Sequence, residues 1–189
     1  MQGRRPALGP TVDEERATTV EGVRKRLAHR LPWLGVGLVG AMASAWMVGA
    51  AEEELSRTVA VAFFLPAIVD MADAVGTQTE VLAVRGLAVG VSIREIVVKE
   101  LLAGLLIGLC ISAAFFPFCL LLYGRLELAI AVSVSLLISS TVASVVALVL
   151  PWILSSMGKD PAFGSGPIST VVQDLLSIAI YLLLATMIV

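Results

Sequence analysis

Charged residues are scarce in this chain. They make up 15% of its 189 residues, whereas soluble domains carry about 25%. Hydrophobic residues make up 58% of the sequence and the mean hydropathy is +0.97, so the composition excludes an ordinary soluble domain and indicates one integral membrane domain. The net charge of −2 and the lack of a basic patch interleaved with aromatic residues argue against nucleic acid as a partner. We expect small ions, the lipid bilayer and further copies of the chain instead.

Cysteine and histidine, the residues of many metal and redox sites, are nearly missing. Cys110 and Cys119 lie nine residues apart in one apolar run, on roughly opposite faces of a helix, so we predict neither a disulfide between them nor a metal site. The single histidine, His29, precedes the first apolar segment. The chain also lacks a Gly-x-Ser-x-Gly elbow, a His-Glu-x-x-His motif and a P-loop, so we expect no enzymatic activity. An aspartyl dyad of Asp70 with Asp174 stays open as the enzymatic alternative.

Long apolar segments are what the chain does have. The first 30 residues are polar and lack the apolar stretch of a cleavable signal peptide. We predict that residues 1–30 form a cytoplasmic segment with a short amphipathic, basic helix, and that residues 31–189 form an all-α domain of five transmembrane helices, because a span takes roughly 20 residues. The five predicted spans are Leu31 to Ala51, Thr58 to about Thr79, Leu101 to Tyr123, Leu128 to Met157, and Ala162 to Val189.

The basic residues are unevenly distributed between the two sides of these spans. One side carries the N-terminal Lys/Arg cluster and most basic connector residues, while the other side carries only Arg57 and Arg125. By the positive-inside rule, this predicts a multi-pass protein of the cell (inner) membrane with a cytoplasmic N-terminus and an extracellular or periplasmic C-terminus. Small residues, among them Ser140 and Ser144 in the fourth span, predict close packing between helices.

Asp174 is the only charged residue in the last predicted span. A carboxylate at bilayer depth costs about 2.5–3.5 kcal/mol on insertion scales, so it is a candidate functional residue. Thr170, Asp174, Ser177 and Tyr181 recur at steps of four, three and four residues, which places them on one stripe of a helix. This stripe offers oxygen ligands to a cation.

The second predicted span carries two further carboxylates, Asp70 and Asp73, three residues apart. They face roughly the same way, and two like charges this close are unfavourable unless a cation or water separates them. Pro66 precedes them and removes one backbone hydrogen bond, which can free a carbonyl for water or an ion. The alternative is that both aspartates lie at the cytoplasmic interface, where a charge costs little.

Several motifs, in order along the chain, resemble the membrane domain of the MgtE family of magnesium channels. The resemblance covers Leu31 to Val189. It rests on Leu31-Pro32-Trp33-Leu34, Leu65-Pro66 through Asp70-Met71, Gly76-Thr77-Gln78, Arg85-Gly86-Leu87-Ala88-Val89-Gly90, Lys99-Glu100-Leu101, Gly158-Lys159-Asp160-Pro161-Ala162, and Ser165-Gly166-Pro167 through Thr170 to Asp174.

This resemblance implies a homodimer with an ion path on its two-fold axis, lined by the second and fifth spans of both copies. It implies that Asp174 recognises Mg²⁺ with support from Gly166 and Thr170, and that Asp160 belongs to the cytoplasmic entrance. The residues expected to bind the metal are Asp174, Thr170, Gly166, Asp160, Asp70 and Asp73. The residues expected to line the pore are Pro66, Gln78, Pro167, Gln173, Ser177 and Tyr181. We expect passive conduction of hydrated Mg²⁺, with Mn²⁺ and Co²⁺ as further candidate ions.

The chain departs from the family pattern at two places. It reads Met71-Ala72-Asp73-Ala74-Val75-Gly76 where the family usually has Met-Gly-Gly-Asn-Ala-Gly, and Gly166 stands where some members have asparagine. The ion preference therefore stays open. About 30 residues before the first span are too few for the family's cytoplasmic helical and CBS domains, so we expect a pore domain without that sensor. Two alternatives remain: a Mg²⁺ carrier coupled to another ion, and a membrane assembly protein without a transport function.

Overall fold

The computed structural model describes residue 20, residues 22–158 and residues 161–189, except for the side chains of residues 29 and 161–164. This part of the chain is helical and contains no strand. Its helices are α1 (Val23–Ala50), α2 (Glu52–Arg57), α3 (Val59–Ala88), α4 (Ile93–Tyr123), α5 (Leu126–Ser156) and α6 (Pro161–Ile188). All but α2 are long and apolar enough to cross a membrane, which makes five candidate spans. The predicted all-α class with five transmembrane helices is confirmed.

The helices are longer than hydropathy alone predicts. α1 begins at Val23 and runs through the expected boundary between residues 30 and 31 without a break. α3 continues past Thr79 to Ala88, and its residues Thr79 and Ala83 are buried in the bundle. α4 begins at Ile93, where Ser92 and Glu95 form a capping box, so its start is fixed by hydrogen bonds to the first turn.

The acidic run Glu52-Glu53-Glu54 after the first span belongs to the short helix α2. The guanidinium of Arg57 pairs with Glu53 at 2.9 Å and with Glu54 at 3.9 Å. Both pairs join neighbouring turns of one helix, where such pairs support the helix by a few tenths of a kcal/mol. The acidic run is therefore largely an exposed helical surface at one end of the bundle.

α5 lies at the centre of the bundle and packs against α3, α4 and α6. Its buried residues Leu128, Val132 and Leu136 meet Phe64 and Ile68 of α3 in the main hydrophobic cluster. The ring of Phe64 makes edge-to-face contacts with Phe115 and Tyr123 of α4, with ring centroids 6.0 and 5.5 Å apart. These contacts hold α3 against α4 and α5. They lie on the side of α3 that faces away from Asp73.

Small residues set the closest helix contacts, as predicted. Ser140 and Ser144 of α5 are fully buried and face Gly108 and Gly104 of α4, where an added Cβ would press on these serines. This confirms the packing role expected for the two serines, since glycine lets helix backbones approach closely in a membrane. α1 stands apart: it packs mainly against α6, and only 6% of its most apolar window is buried.

Candidate cation site between α3 and α6

The three intramembrane aspartates lie at similar depth on two neighbouring helices. Asp70 and Asp73 fall near the middle of α3, and Asp174 falls near the middle of α6. α3 has 30 residues, so about 20 Å of helix extends to either side of Asp73. The helix therefore places both α3 aspartates well away from its ends.

A hydrogen bond joins the two helices at this depth. The Thr170 hydroxyl of α6 donates to Asp73 Oδ1 of α3 at 3.3 Å. Asp174 lies one turn further along α6, and its carboxylate is close enough to those of Asp73 and Asp70 for the like charges to repel. Asp70 and Thr170 are exposed in the single protomer, whereas Asp73 and Asp174 are half-buried. The site is therefore an acidic, partly open surface with a threonine hydroxyl at its centre.

Gln173 fills the space between the same two helices. Its side chain is 2% exposed, and its amide nitrogen donates to the Ser169 hydroxyl at 2.5 Å. In the described part of the chain, its amide oxygen has no hydrogen-bond donor. The amide lies directly against Gly76 of α3, where even a Cβ would overlap it. Gly76 therefore permits the close approach of α3 and α6 beside the aspartates.

A cleft of about 530 Å³ continues from Thr170 along the same helix pair. Its polar lining includes Glu80, whose carboxylate Oε1 accepts a hydrogen bond from the Ser165 hydroxyl at 2.5 Å. Gly166 and Pro167 of α6 lie on the same wall. The residues that line the cleft are Thr77, Glu80, Val81, Val84, Arg85, Ser165, Gly166, Pro167 and Thr170.

Three of the six predicted pore-lining residues lie on exposed helix surface or in the cleft, and the other three are buried in the protomer. Pro66 and Gln78 are exposed on α3, and Pro167 lines the cleft. The other three, Gln173, Ser177 and Tyr181, are 2%, 2% and 0% exposed and pack inside the protomer.

The stripe from Thr170 to Tyr181 thus passes from the open cleft into the core, where the Tyr181 hydroxyl donates to the Val61 carbonyl at 2.8 Å. This burial gives Ser177 and Tyr181 a packing role within the protomer. Asp160 lies outside the described residues.

Glu80 is a candidate site residue that sequence reasoning missed. The predicted second span ended at about Thr79, so Glu80 fell into a connector. The sequence spacing could have identified it, because Glu80 follows Asp73 by seven residues. Seven residues are two helical turns, so the two carboxylates share one face of the helix. Its partner Ser165 is 85 residues away, and no local pattern could have paired the two.

The donor set suits a hydrated ion better than a dehydrated one. Among the described residues, no group of three or more Asp, Glu, His or Cys side chains converges as an inner-sphere metal site does. Mg²⁺ loses water reluctantly and commonly keeps several waters while one or two carboxylates contact it. Asp73, Asp174 and Thr170 provide that kind of surface.

The fold and the site together define a multi-pass membrane protein with carboxylates at mid-depth between two adjacent helices. The chain belongs to the MgtE family, because the model of that family, described as a divalent cation transporter, matches residues 65–184.

Among known relatives, the magnesium transporter MgtE of Bacillus subtilis is 30% identical over 162 residues, which are 84% of this chain and 36% of that protein. The magnesium transporter MgtE of Enterococcus faecalis is 30% identical over 171 residues, or 88% of this chain and 38% of that protein. That of Thermus thermophilus is 30% identical over 166 residues, or 82% and 35%. The chain spans little more than a third of the length of each of these relatives.

Proposed function

We propose that this chain forms a passive pathway for Mg²⁺ across the membrane, with hydrated Mg²⁺ recognised by Asp174, Asp73 and Thr170. The observation that carries the proposal is the hydrogen bond from Thr170 to Asp73, because it joins α6 to α3 one turn from Asp174. The relatives named as magnesium transporters support Mg²⁺ as the ion. No enzymatic role is proposed, since the relatives are named as transporters.

Selection would act on the hydrated ion. Two or three carboxylates attract a divalent cation over a monovalent one, and hydroxyl and carboxylate oxygens can bond to its water shell without replacing it. Because the ion keeps its water, the interaction is weak enough for release. A conducting site needs binding that permits both arrival and departure.

The working unit of the proposal is a homodimer with the path between its two copies. Asp70 is exposed at the middle of α3, and an exposed carboxylate at that depth is costly against lipid. The exposed face of α3 also carries Pro66, Ala74, Thr77 and Gln78. A second copy related by a two-fold axis would cover this face, with water and cations between the carboxylates.

The orientation follows from the basic residues. The end of the bundle where α1 begins carries Arg24, Lys25, Arg26 and Arg30, and α3 brings Arg85 to the same end. The opposite end carries Arg57 and Arg125. We place the first end in the cytoplasm by the positive-inside rule, and the cleft with Glu80 then opens on the cytoplasmic side of Asp174.

The test is Mg²⁺ influx into liposomes that contain the purified chain and a Mg²⁺-sensitive dye, with and without an imposed membrane potential. We expect influx that increases with an inside-negative potential and needs no counter-ion. Influx that requires a Na⁺ or H⁺ gradient would replace the channel with a coupled carrier. Dye signals equal to those of empty liposomes would contradict transport. They would favour the alternative of a membrane assembly protein without a transport function.

A further inference from the structure

Glu80 is a carboxylate held in place within a membrane helix. It is half-buried on α3, and its Oε1 accepts a hydrogen bond from Ser165 of α6, a residue that is 1% exposed. This bond fixes one carboxylate oxygen against α6. The rest of the side chain lines the 530 Å³ cleft.

No positive side chain neutralises this carboxylate within the described residues. The structure shows ion pairs of Arg57 with Glu53 and Glu54, and it shows none between Glu80 and a described Lys or Arg side chain. Arg85 lines the same cleft, but it forms no ion pair with Glu80 and is exposed, so solvent screens its charge. An ionisable residue inside a membrane segment without an oppositely charged partner points to a functional role.

The cleft connects Glu80 to the candidate site described above. Thr170 and Gly166 line the cleft, and Thr170 also donates to Asp73. Glu80 lies two turns beyond Asp73 on the same face of α3, about 10 Å along the helix axis. Between Glu80 and Asp73, the cleft offers a cation the hydroxyls of Ser165, Thr77 and Thr170.

We propose that Glu80 and Ser165 form a separate binding site for a hydrated divalent cation, which holds the ion in the cleft on the cytoplasmic side of Asp73 and Asp174. This inference rests on the proposed transport of Mg²⁺. The carboxylate supplies the attraction, and the Ser165 hydroxyl orients it. The site has one carboxylate per protomer and an open cleft, so it captures the hydrated ion without dehydrating it.

A matched pair of variants isolates the charge. Glu80→Gln removes the charge and keeps an oxygen that accepts from Ser165. Glu100→Gln is the control: Glu100 of α4 is also half-buried and accepts from a hydroxyl, that of Thr79 at 3.3 Å, but it does not line the cleft. Ser165→Ala removes the hydrogen bond and keeps the charge.

Two measurements report on the site. In liposomes, Mg²⁺ flux that enters the pathway from the side of the cleft is expected to show an apparent KM about 5-fold higher in Glu80→Gln, with little change in maximal flux, because one attracting charge is lost. In calorimetry on the detergent-solubilised chain, cobalt(III) hexaammine, an exchange-inert mimic of hydrated Mg²⁺, should bind about 5-fold more weakly. Glu100→Gln should match the wild type in both.

The outcomes separate this inference from the proposed function. A wild-type KM and wild-type cobalt binding in Glu80→Gln would overturn the Glu80 site while leaving Mg²⁺ influx intact. Equal losses in Glu80→Gln, Glu100→Gln and Ser165→Ala would also overturn it, because they would assign Glu80 to helix packing alone. If the wild type shows no influx, transport fails, and the calorimetric comparison still decides the site.

Glu80→Asp takes the place of Glu80→Gln if the latter is not recovered as a folded protein. It keeps the charge and withdraws it by one methylene from the cleft. We then expect a rise of about 2-fold in KM. An unchanged KM in this variant counts against the site.

Discussion

At the scale of single residues, the proposed site relies on the charge of its carboxylates more than on a fixed ligand geometry. Asp174 and Asp73 are half-buried at mid-depth, and a carboxylate there is costly without water, protein or a cation beside it. The Thr170 hydroxyl bonds to Asp73 and orients that carboxylate. Substitutions that change charge without changing shape should therefore affect ion flux and leave folding nearly intact.

Asp174→Asn tests the central carboxylate. We expect Mg²⁺ influx into liposomes to fall at least about 10-fold, because the amide holds the shape but no longer attracts a divalent ion. Asp174→Glu, which keeps the charge, should lose less. Size-exclusion profiles like that of the wild type would show that both variants fold. Wild-type influx in Asp174→Asn would remove Asp174 from the site.

Asp73→Asn tests ion preference. Asp73 adds a carboxylate where the family pattern has glycine, and two close carboxylates favour metals that shed water more readily than Mg²⁺. We expect the variant to lose more Mn²⁺ or Co²⁺ passage than Mg²⁺ passage in competition assays. Thr170→Val, which breaks the hydrogen bond to Asp73 and keeps the charge, is the matched control. Unchanged ratios in Asp73→Asn would exclude a role for Asp73 in selectivity.

At the scale of helices, the contact between α3 and α6 determines where the carboxylates lie. Gly76 of α3 and Gln173 of α6 meet without room for a Cβ. Gly76 lies one turn beyond Asp73, and Gln173 directly precedes Asp174. The contact therefore fixes the spacing of the two helices beside the site.

Gly76→Ala should destabilise the fold by about 1–3 kcal/mol, the range typical of overpacking. The new methyl overlaps the Gln173 amide, and that side chain is 2% exposed and has little room to move aside. Denaturant unfolding in detergent measures the effect. Gly86→Ala is the control, because an added Cβ there meets Val91 at an ordinary 3.7 Å.

The double variant Gly76→Ala with Gln173→Ala shows whether the amide is the cause. Removing the amide makes space for the methyl, so the Gly76→Ala penalty measured in the Gln173→Ala background should be smaller than in the wild type. Equal penalties in the two backgrounds would mean that some other contact opposes the methyl.

The number and order of the membrane helices could be predicted from hydropathy, because length and apolar composition suffice for a span. The C-terminal end of α3 could not be predicted in this way. Thr77, Gln78 and Glu80 end the apolar run, yet the helix continues to Ala88 because Thr79 and Ala83 are buried in the bundle. Tertiary packing thus extends the helix beyond the point where hydropathy ends it.

The candidate site was predictable in part. Asp174 was identifiable because a lone charge in an apolar span is costly. The Thr170–Asp73 bond joins residues 97 positions apart, and the burial of Tyr181 depends on α3 passing over it. Such relations follow from how the helices cross, which neither periodicity nor composition encodes.

At the scale of the whole molecule, a single protomer leaves part of the site uncovered. Asp70 and the exposed face of α3 lie at mid-depth, and lipid is a poor solvent for them. The proposed homodimer covers this face. α4, in contrast, exposes a mostly apolar face that lipid can cover, as its residues Leu102, Leu105, Leu106 and Leu109 show.

Cysteine cross-linking tests the proposed dimer face. Ala74→Cys places a thiol on the exposed face of α3, and Leu106→Cys places one on the exposed face of α4 as the control. Both are made with Cys110→Ser, since Cys110 is exposed. Mild oxidation in membranes should convert Ala74→Cys to a covalent dimer of about 40 kDa, twice the 19.8 kDa chain. Equal cross-linking of both variants would contradict a dimer face on α3.

The position of α1 has a consequence for biosynthesis. α1 packs mainly against α6, where Gly40 meets Val171. At translation rates of about 5–20 residues per second, the ribosome needs on the order of 10 s to make the roughly 130 residues between them. During that interval α1 sits in the bilayer without its docking partner, while α3, α4 and α5 can already assemble. Because α6 follows α1 in the chain, a nascent chain that stalls before α6 leaves α1 without the helix against which it mainly packs.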